Sequence, residues 1–237
     1  MKVRGVFLWL VIAASCCASL PSAQAVTSLP NSFISLSKSA ALNNPGIVLM
    51  DPASGDVLFS KNAEVGKAPA SVMKLFSTSD ALRTFGQDKT FETRIYSTAR
   101  KNKVVIVGSS DPWLTADPKE ANKYGRGYLP WLVSKALQKS PGIRAISLEY
   151  KDLYLQDVVM LQKYFKGRLK IYPHKYSSTE ELMGQSKDLI GSITSPKLSE
   201  IIQFTLLWSD NLLAARLAQM SARQQGFTAD SAGIQMS

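Results

Sequence analysis

The chain has 237 residues, of which 45% are hydrophobic, and this is enough for one or two domains with a buried core. Its two cysteines, Cys16 and Cys17, both lie near the start, and His174 is its one histidine. The remainder of the chain therefore cannot use disulfides, thiol catalysis or cysteine-ligated zinc, and a single histidine argues against a Ser-His-Asp triad. The formal net charge is +10, and residues 100–175 hold 15 Lys and Arg against six Asp and Glu.

Residues 1–25 have the features of an export signal. Lys2 and Arg4 precede the apolar run 6–13, and Ala23-Gln-Ala25 is a small-residue cleavage site. Because the run is shorter than the roughly 18 residues that span a bilayer, we predict cleavage of the signal and a location in the periplasm or the extracellular cell envelope. A retained anchor and lipid attachment at either cysteine are the alternatives.

The predicted elements follow in chain order from hydrophobic periodicity and turn residues. A short helix is expected over 31–42, and two apolar strands, 46–51 and 56–60, flank the Gly-containing turn 52–55. A further helix runs from about residue 70 to 85 and ends at Gly86. The later predictions are strands at 91–98, 103–107 and 143–150, and helices at 128–138, 198–208 and 212–224. Residues 151–190 are the least readable part of the chain, and we expect mixed helix and loop there. Because strands and helices interleave without a strict βαβ rhythm, the sequence indicates an α+β fold.

The first motif with chemical content is Ser71-Val-Met-Lys74, which opens the helix predicted from residue 70. Lys74 lies three residues after Ser71, hence on the same helical face and within reach of its hydroxyl. The apolar face of the helix would bury the lysine stem, and a lysine held partly out of water can accept the proton of a serine nucleophile. The ordinary alternative is an N-cap serine followed by a solvated lysine.

The second motif, Ser209-Asp-Asn211, lies between the last two predicted helices. Its functional interpretation requires a turn that points Ser209 at Ser71 and Lys74, where Ser209 would relay a proton to the leaving group. Asn211 would then hydrogen-bond the substrate amide. The ordinary alternative is that Ser209 or Asp210 caps the following helix.

The two motifs, in this order, are two of the three elements S-x-x-K, S-D-N and K-T-G of penicillin-recognising serine enzymes. Residues 68–82, 107–114 and 195–201, together with Ser-Asp-Asn-Leu-Leu-Ala, resemble D-alanyl-D-alanine carboxypeptidases of the class C low-molecular-mass penicillin-binding proteins. Segment 107–114, Val-Gly-Ser-Ser-Asp-Pro-Trp-Leu, is similar to that family's Gly-Gly-Gly-Asp-Pro-x-Leu, with two glycines replaced by serine. The resemblance covers residues 44–111 and 192–217 well and the middle of the chain poorly.

The resemblance implies a penicillin-binding domain of the serine β-lactamase-like kind that is interrupted by a smaller inserted subdomain. We expect the signal over 1–25, the first part of the domain over 26–99, the insertion over 100–190 and the second part over 191–237.

The same resemblance implies a serine acyl-enzyme mechanism on peptidoglycan peptides ending in D-Ala-D-Ala, with β-lactams as further ligands and no metal or cofactor. Ser71 would be the nucleophile, Lys74 the base, Ser209 the proton relay and Asn211 the substrate-binding residue. The preference between carboxypeptidase and endopeptidase action stays open.

The third motif is missing from the sequence, since no lysine follows Lys197. In the family that Lys-Thr-Gly strand binds the substrate's terminal carboxylate and supplies the second oxyanion donor, and losing one such donor typically costs about 2.7–4 kcal/mol. We therefore expect a chain truncated before this motif to hydrolyse D-Ala-D-Ala peptides very poorly and to be acylated by penicillin slowly or not at all.

The alternative hypothesis is a catalytically inactive truncated homologue that binds anionic cell-wall polymer through the basic residues of 100–175. A plain solvated basic face is the ordinary interpretation of the same charges. Nucleic acid is not expected as a partner, because the chain carries an export signal and no interleaved aromatic and basic motif.

Overall fold

A computed structural model describes residues 29–227, so the predicted export signal and its cleavage site lie outside the described residues. The chain divides into two compact units between Ala68 and Pro69. Across residues 29–227, none of the helices has the length and apolar character that crossing a membrane requires.

The first unit contains one α-helix, one 3-10 turn and one β-hairpin: α1 (Asn31–Ser37), the turn Ala40–Leu42, β1 (Ile47–Met50) and β2 (Val57–Lys61). The helix predicted over 31–42 is therefore interrupted after Ser37. The rings of Phe33 and Phe59 meet edge to face with centroids 5.2 Å apart, which joins α1 to the hairpin. The strands β1 and β2 pair antiparallel, so the predicted hairpin is confirmed.

The second unit contains the remaining elements: α2 (Met73–Phe85), β3 (Glu92–Thr98), β4 (Lys103–Val107), β5 (Leu114–Thr115), α3 (Pro118–Tyr124), β6 (Gly127–Tyr128), α4 (Leu129–Gln138), β7 (Ala145–Lys151), α5 (Leu155–Phe165), β8 (Lys170–Lys175), α6 (Thr179–Met183), β9 (Ser186–Thr194), α7 (Leu198–Leu207) and α8 (Asn211–Gln224). Each strand and helix that was given bounds for this part of the chain is present, with ends shifted by at most three residues. The prediction of mixed helix and loop over 151–190 is wrong in part, because β8 and the start of β9 lie there beside α5 and α6.

Five of the strands form one sheet in the order β8-β7-β4-β3-β9. Strand β3 pairs antiparallel with β4 and β9, whereas β7 pairs parallel with both β4 and β8. Helices α4 and α5 cover the sheet, and the larger hydrophobic core forms between them from side chains that include Ile95, Ile106, Leu132, Leu148 and Leu161. This mixed sheet with packed helices confirms the predicted α+β class.

The chain enters and leaves this sheet at one place. The Phe91 N–H donates to the Ser195 hydroxyl at 2.9 Å, and the Ser195 N–H donates to the Phe91 carbonyl at 2.8 Å. The start of β3 therefore lies beside the end of β9, which is the arrangement that an insertion into another domain requires. The subdomain over 100–190 and the other domain bounds stay predictions, and the sheet itself runs from Glu92 to Thr194.

Helices α2, α7 and α8 surround a second, smaller core that includes Ala81, Leu198, Ile201, Leu213 and Leu217. Ser209, just before α8, meets Ser71 just before α2. At the other ends of the two helices, Gln225 donates to Asp80 and Thr84. The helices α2 and α8 therefore run parallel, and their packing brings the two serine motifs together.

Candidate active site

Ser71 lies in a short 3-10 turn, Ala70–Val72, that leads into α2. The helix predicted from residue 70 thus begins as a tighter turn and becomes α-helical at Met73. Ala70 has a φ of 44°, in the left-handed region that non-glycine residues rarely adopt. Such conformations cost on the order of 1–3 kcal/mol and are commonest at functional sites.

Lys74 lies in the first turn of α2 and is 7% exposed. Its Nζ donates a hydrogen bond to the Ser71 Oγ at 3.0 Å, which is the proximity expected from the spacing of the two residues. No ion pair joins Lys74 to a carboxylate anywhere in residues 29–227. The amine therefore has the serine hydroxyl as its polar contact.

Ser209 lies in the tight turn between α7 and α8 and has a φ of 52°. Its Oγ donates to the Ser71 Oγ at 3.0 Å. The helix cap belongs to the next residue, because the Asp210 carboxylate accepts from the Leu213 N–H at 2.9 Å. The Ser209 hydroxyl is thus free of the capping role that the ordinary interpretation gave it, and it contacts Ser71 instead.

Asn211, the fourth predicted site residue, is the first residue of α8 and is exposed. It lines a cavity of about 390 Å³ together with Asp117, Arg126 and Asp210, among other residues. Ser71, Lys74 and Ser209 together form the Ser71 cluster, and none of them lines this cavity. The structure therefore brings Ser71, Lys74 and Ser209 together. Asn211, two residues after Ser209, lines a different cavity.

A buried polar cluster on the other side of α8 carries no predicted role. The Arg216 guanidinium donates to the Asp157 carboxylate at 2.8 Å, and the side chains are 3% and 2% exposed. Asp111, from the segment similar to Gly-Gly-Gly-Asp-Pro-x-Leu, accepts from the Trp113 N–H at 2.8 Å and is 2% exposed. Burial raises the pKa of Asp111 to about 7, although Arg216 and Arg126 act in the opposite direction.

The segment of Asp111 stands out in the sequence by its similarity to Gly-Gly-Gly-Asp-Pro-x-Leu, whereas no motif in the sequence predicted a role for Arg216 or Asp157. The one usable signal was an arginine in the apolar helix α8, at a position between Ala215 and Leu217. For metal binding, residues 29–227 offer no group of three or more His, Cys, Asp or Glu side chains that could hold an ion.

Comparison with known proteins gives the family. Residues 35–166, more than half of the chain, match the protein-family model of the D-Ala-D-Ala carboxypeptidase 3 (S13) family, and the chain belongs to that family. Over 82 residues it is 35% identical to a D-alanyl-D-alanine carboxypeptidase of Actinomadura sp. (strain R39), in an alignment that covers 32% of this chain and 15% of that protein.

The fold is similar to that of penicillin binding protein 4 from Haemophilus influenzae, with a TM-score of 0.51, 12% identity and coverage of 76% of this chain and 63% of that one. A second structure of that protein, complexed with a β-lactam, matches with a TM-score of 0.51 and 13% identity over 76% of this chain and 61% of that one. The chain thus spans less than two thirds of the length of these relatives.

Proposed function

We propose that this chain acts as a serine-type D-Ala-D-Ala carboxypeptidase or endopeptidase on peptidoglycan stem peptides, through an acyl-enzyme at Ser71. The observation that carries the proposal is the position of the Ser71 Oγ, which lies 3.0 Å from both the Lys74 Nζ and the Ser209 Oγ. A nucleophile within hydrogen-bond distance of a base and of a second hydroxyl is the arrangement that acyl transfer requires. Family membership supports the same chemistry.

In the proposed reaction the Ser71 Oγ attacks the carbonyl carbon of the penultimate D-Ala. The Lys74 amine, acting as the base, takes the hydroxyl proton as the new C–O bond forms. The C–N bond then breaks while the proton passes from Lys74 through Ser209 to the leaving nitrogen, and D-Ala departs. Water then hydrolyses the ester and restores the Ser71 hydroxyl.

Two further groups would support this reaction. Within residues 29–227 the Ser71 N–H donates to no backbone carbonyl, so it supplies one donor for the oxyanion of the tetrahedral intermediate. Asn211 would hold the substrate amide, since it begins α8 two residues after Ser209. The Asn211 role depends on a substrate that reaches from Ser71 into the cavity that Asn211 lines.

We place this activity outside the cytoplasm, because residues 1–25 have the pattern of an export signal. β-Lactams are proposed ligands because their carbonyl would meet the same nucleophile. Anionic cell-wall polymer is a further proposed partner, supported by the excess of 15 Lys and Arg over six Asp and Glu in residues 100–175.

The test is mass spectrometry of the full chain after prolonged incubation with penicillin G. We expect a covalent adduct on the wild type and no adduct on Ser71→Ala. Lys74→Met removes the base and keeps an unbranched side chain of similar length, so its acylation should slow by a factor on the order of 10²–10⁴. Ser79→Ala changes an exposed serine of the same helix and is the matched control, which should label like the wild type.

An adduct on Ser71→Ala would place the nucleophile elsewhere and contradict the proposal. So would a folded wild type that acquires no adduct, with folding checked by a cooperative thermal transition.

A further inference from the structure

A cavity of about 370 Å³ lies between α8 and the chain that follows β7. Leu212, Arg216 and Arg223 line it from α8, and Asp152 and Lys175 are among the residues that line it from the sheet. Its volume falls in the range of small-molecule pockets, roughly 300–1,000 Å³. The lining includes none of Ser71, Lys74 and Ser209, although it shares Gln156 and Leu212 with the cavity that Asn211 lines.

The charges of this cavity are unbalanced. Lys175 and Arg223 face one carboxylate of the lining, Asp152, which Lys151 already binds with an Nζ–Oδ2 distance of 2.5 Å, and the third lining cation, Arg216, is paired with Asp157. Among the residues that the structure describes, neither Lys175 nor Arg223 forms an ion pair. The lining thus carries positive charge that the folded chain leaves uncompensated, and a cleft concentrates the field of such charges more than an open surface does.

Arg216 gives the cavity a fixed guanidinium. Its Nη atoms donate to the carbonyls of Pro112 and Leu114 and to the Asp157 carboxylate, and its plane lies 4.3 Å from the centre of the Tyr154 ring. Its Nε–H is buried and has no acceptor in residues 29–227. A buried donor without an acceptor costs about 1–3 kcal/mol, so the guanidinium is held beside the cavity by its Nη contacts and by the Tyr154 ring.

A second cavity of about 320 Å³ adjoins the first and continues the cationic lining. The two share Asp152 and Arg223, and the second adds Lys89 and the hydroxyl-bearing Ser109. Lys89 also forms no ion pair in the described part of the chain. A ligand that carries more than one anionic group could therefore reach from Lys175 past Arg223 to Lys89.

We propose that these two cavities bind an anionic oxygen ligand, a carboxylate or a phosphate. Lys175 and Arg223 hold the first anionic group, and Lys89 contacts a second group where the ligand has one. Guanidinium groups suit this role because their donors match the paired oxygens of carboxylate and phosphate. The site lies along α8, with Arg223 about 18 Å from Asn211 at 1.5 Å per residue, and it does not rest on the acyl-enzyme chemistry.

The experiment is calorimetric titration of the full chain, at low salt, with inorganic phosphate, tripolyphosphate and glutarate. We expect saturable binding that weakens about tenfold or more in the double variant Lys175→Gln/Arg223→Gln. Lys170→Gln is the matched control, because Lys170 is an exposed lysine at the opposite end of β8. The anion affinity of Lys170→Gln should stay within about twofold of the wild-type affinity, because surface substitutions usually change free energies by no more than about ±0.5 kcal/mol.

Two comparisons sharpen the result. Lys89→Gln should weaken the binding of tripolyphosphate and leave that of phosphate unchanged, since a single phosphate does not reach the second cavity. Tighter binding of phosphate than of glutarate points to a phosphate-bearing ligand, and the reverse order points to a carboxylate-bearing one.

The proposal is overturned if none of the three anions binds saturably, or if Lys170→Gln weakens binding as much as the double variant does. Should the double variant unfold at a lower temperature than the wild type, the single variant Lys175→Gln replaces it in the comparison, because the Lys175 side chain is exposed at the end of β8.

Discussion

The Ser209 hydroxyl donates a hydrogen bond to the Ser71 hydroxyl at 3.0 Å, although 138 positions separate the two residues in the chain. Both serines lie at sharp turns that precede parallel helices, and each turn holds a non-glycine residue at positive φ, Ala70 in one and Ser209 in the other. The packing of α2 on α8 fixes both turns, and this fixed geometry is what makes the contact between the two hydroxyls possible.

The Ser209 hydroxyl and the backbone strain at Ser209 can be separated by Ser209→Gly. Glycine adopts a φ of 52° readily, so we expect stability to stay within about 1 kcal/mol of the wild type. Loss of the hydroxyl should slow acylation by penicillin by a factor on the order of 10²–10⁴, because the proton relay is gone. A thermal melt measures the stability, and the time course of adduct formation measures the acylation rate.

Ser110→Gly is the matched control for this substitution. Ser110 is a second serine at positive φ, 54°, and it lies away from the Ser71 cluster. The control should acylate at the wild-type rate. Equal rates for Ser209→Gly and the wild type would rule out Ser209 as the relay.

Gly108 admits no side chain, because strand β4 there approaches the chain after β7. A Cβ on Gly108 would lie 2.3 Å from the Asp152 carbonyl oxygen and 2.9 Å from the Leu153 Cδ2. We expect Gly108→Ala to destabilise the fold by about 1–3 kcal/mol or more, since the clash is with backbone. Gly184→Ala, where the nearest atoms are 3.5 Å away, should be close to neutral. Urea unfolding of both variants measures the difference, and similar midpoints would contradict it.

The Arg216–Asp157 ion pair is buried on both sides. Asp157→Leu or Arg216→Met alone leaves one charge without its partner, so each should cost about 3–5 kcal/mol of unfolding free energy. The double variant should cost less than the sum of the two singles, because neither charge remains. An additive result in denaturant titrations would show that the pair is not coupled. Lys197→Met, which breaks the exposed pair with Asp88, should leave the midpoint unchanged.

Asp111 should make stability depend on pH. Its pKa rises from an ordinary value of 3.8 to about 7 in the folded protein because of burial. The folded state therefore holds the proton more tightly than the unfolded state. The stabilising contribution is full below about pH 4, declines as the pH rises and is lost above about pH 7. The size of the loss is on the order of a few kcal/mol at most.

Asp111→Asn mimics the protonated carboxyl and should remove this dependence. Arg126, Arg216 and Asp157 remain in both proteins, so the difference between the two isolates Asp111. Denaturant midpoints at pH 4.5 and pH 8 are the measurement. The wild type should lose more stability than Asp111→Asn between the two values, and parallel curves would show that Asp111 is already ionised in the folded state.

The sequence alone determined the features that depend on neighbours close along the chain. The spacing of Ser71 and Lys74 placed them on one helical turn, and the hydrogen bond between them follows from that turn. Two short apolar runs around a Gly-containing turn likewise predicted the β1–β2 hairpin. In each case the residues that interact lie within about a dozen positions of one another, so a local sequence pattern is enough to predict the structure.

Residues 151–190 had no legible period, because β8 and β9 are the two edge strands of the sheet and expose most of their side chains. An edge strand buries too little to alternate, and it tolerates Pro173, whose missing N–H needs no partner there. Strands β8 and β9 form because they pair with β7 and β3, which are distant from them in the sequence.

Only the tertiary structure decided which distant residues meet. The contact of Ser209 with Ser71, the pairing of Arg216 with Asp157 and the cationic cavity of Lys175 and Arg223 each join segments that lie far apart along the chain. No local pattern encodes such contacts, because they arise from the packing of α8 against α2 and against the chain after β7. The sequence supplied the reactive side chains, and the burial of apolar faces between these elements set the distances at which they can act.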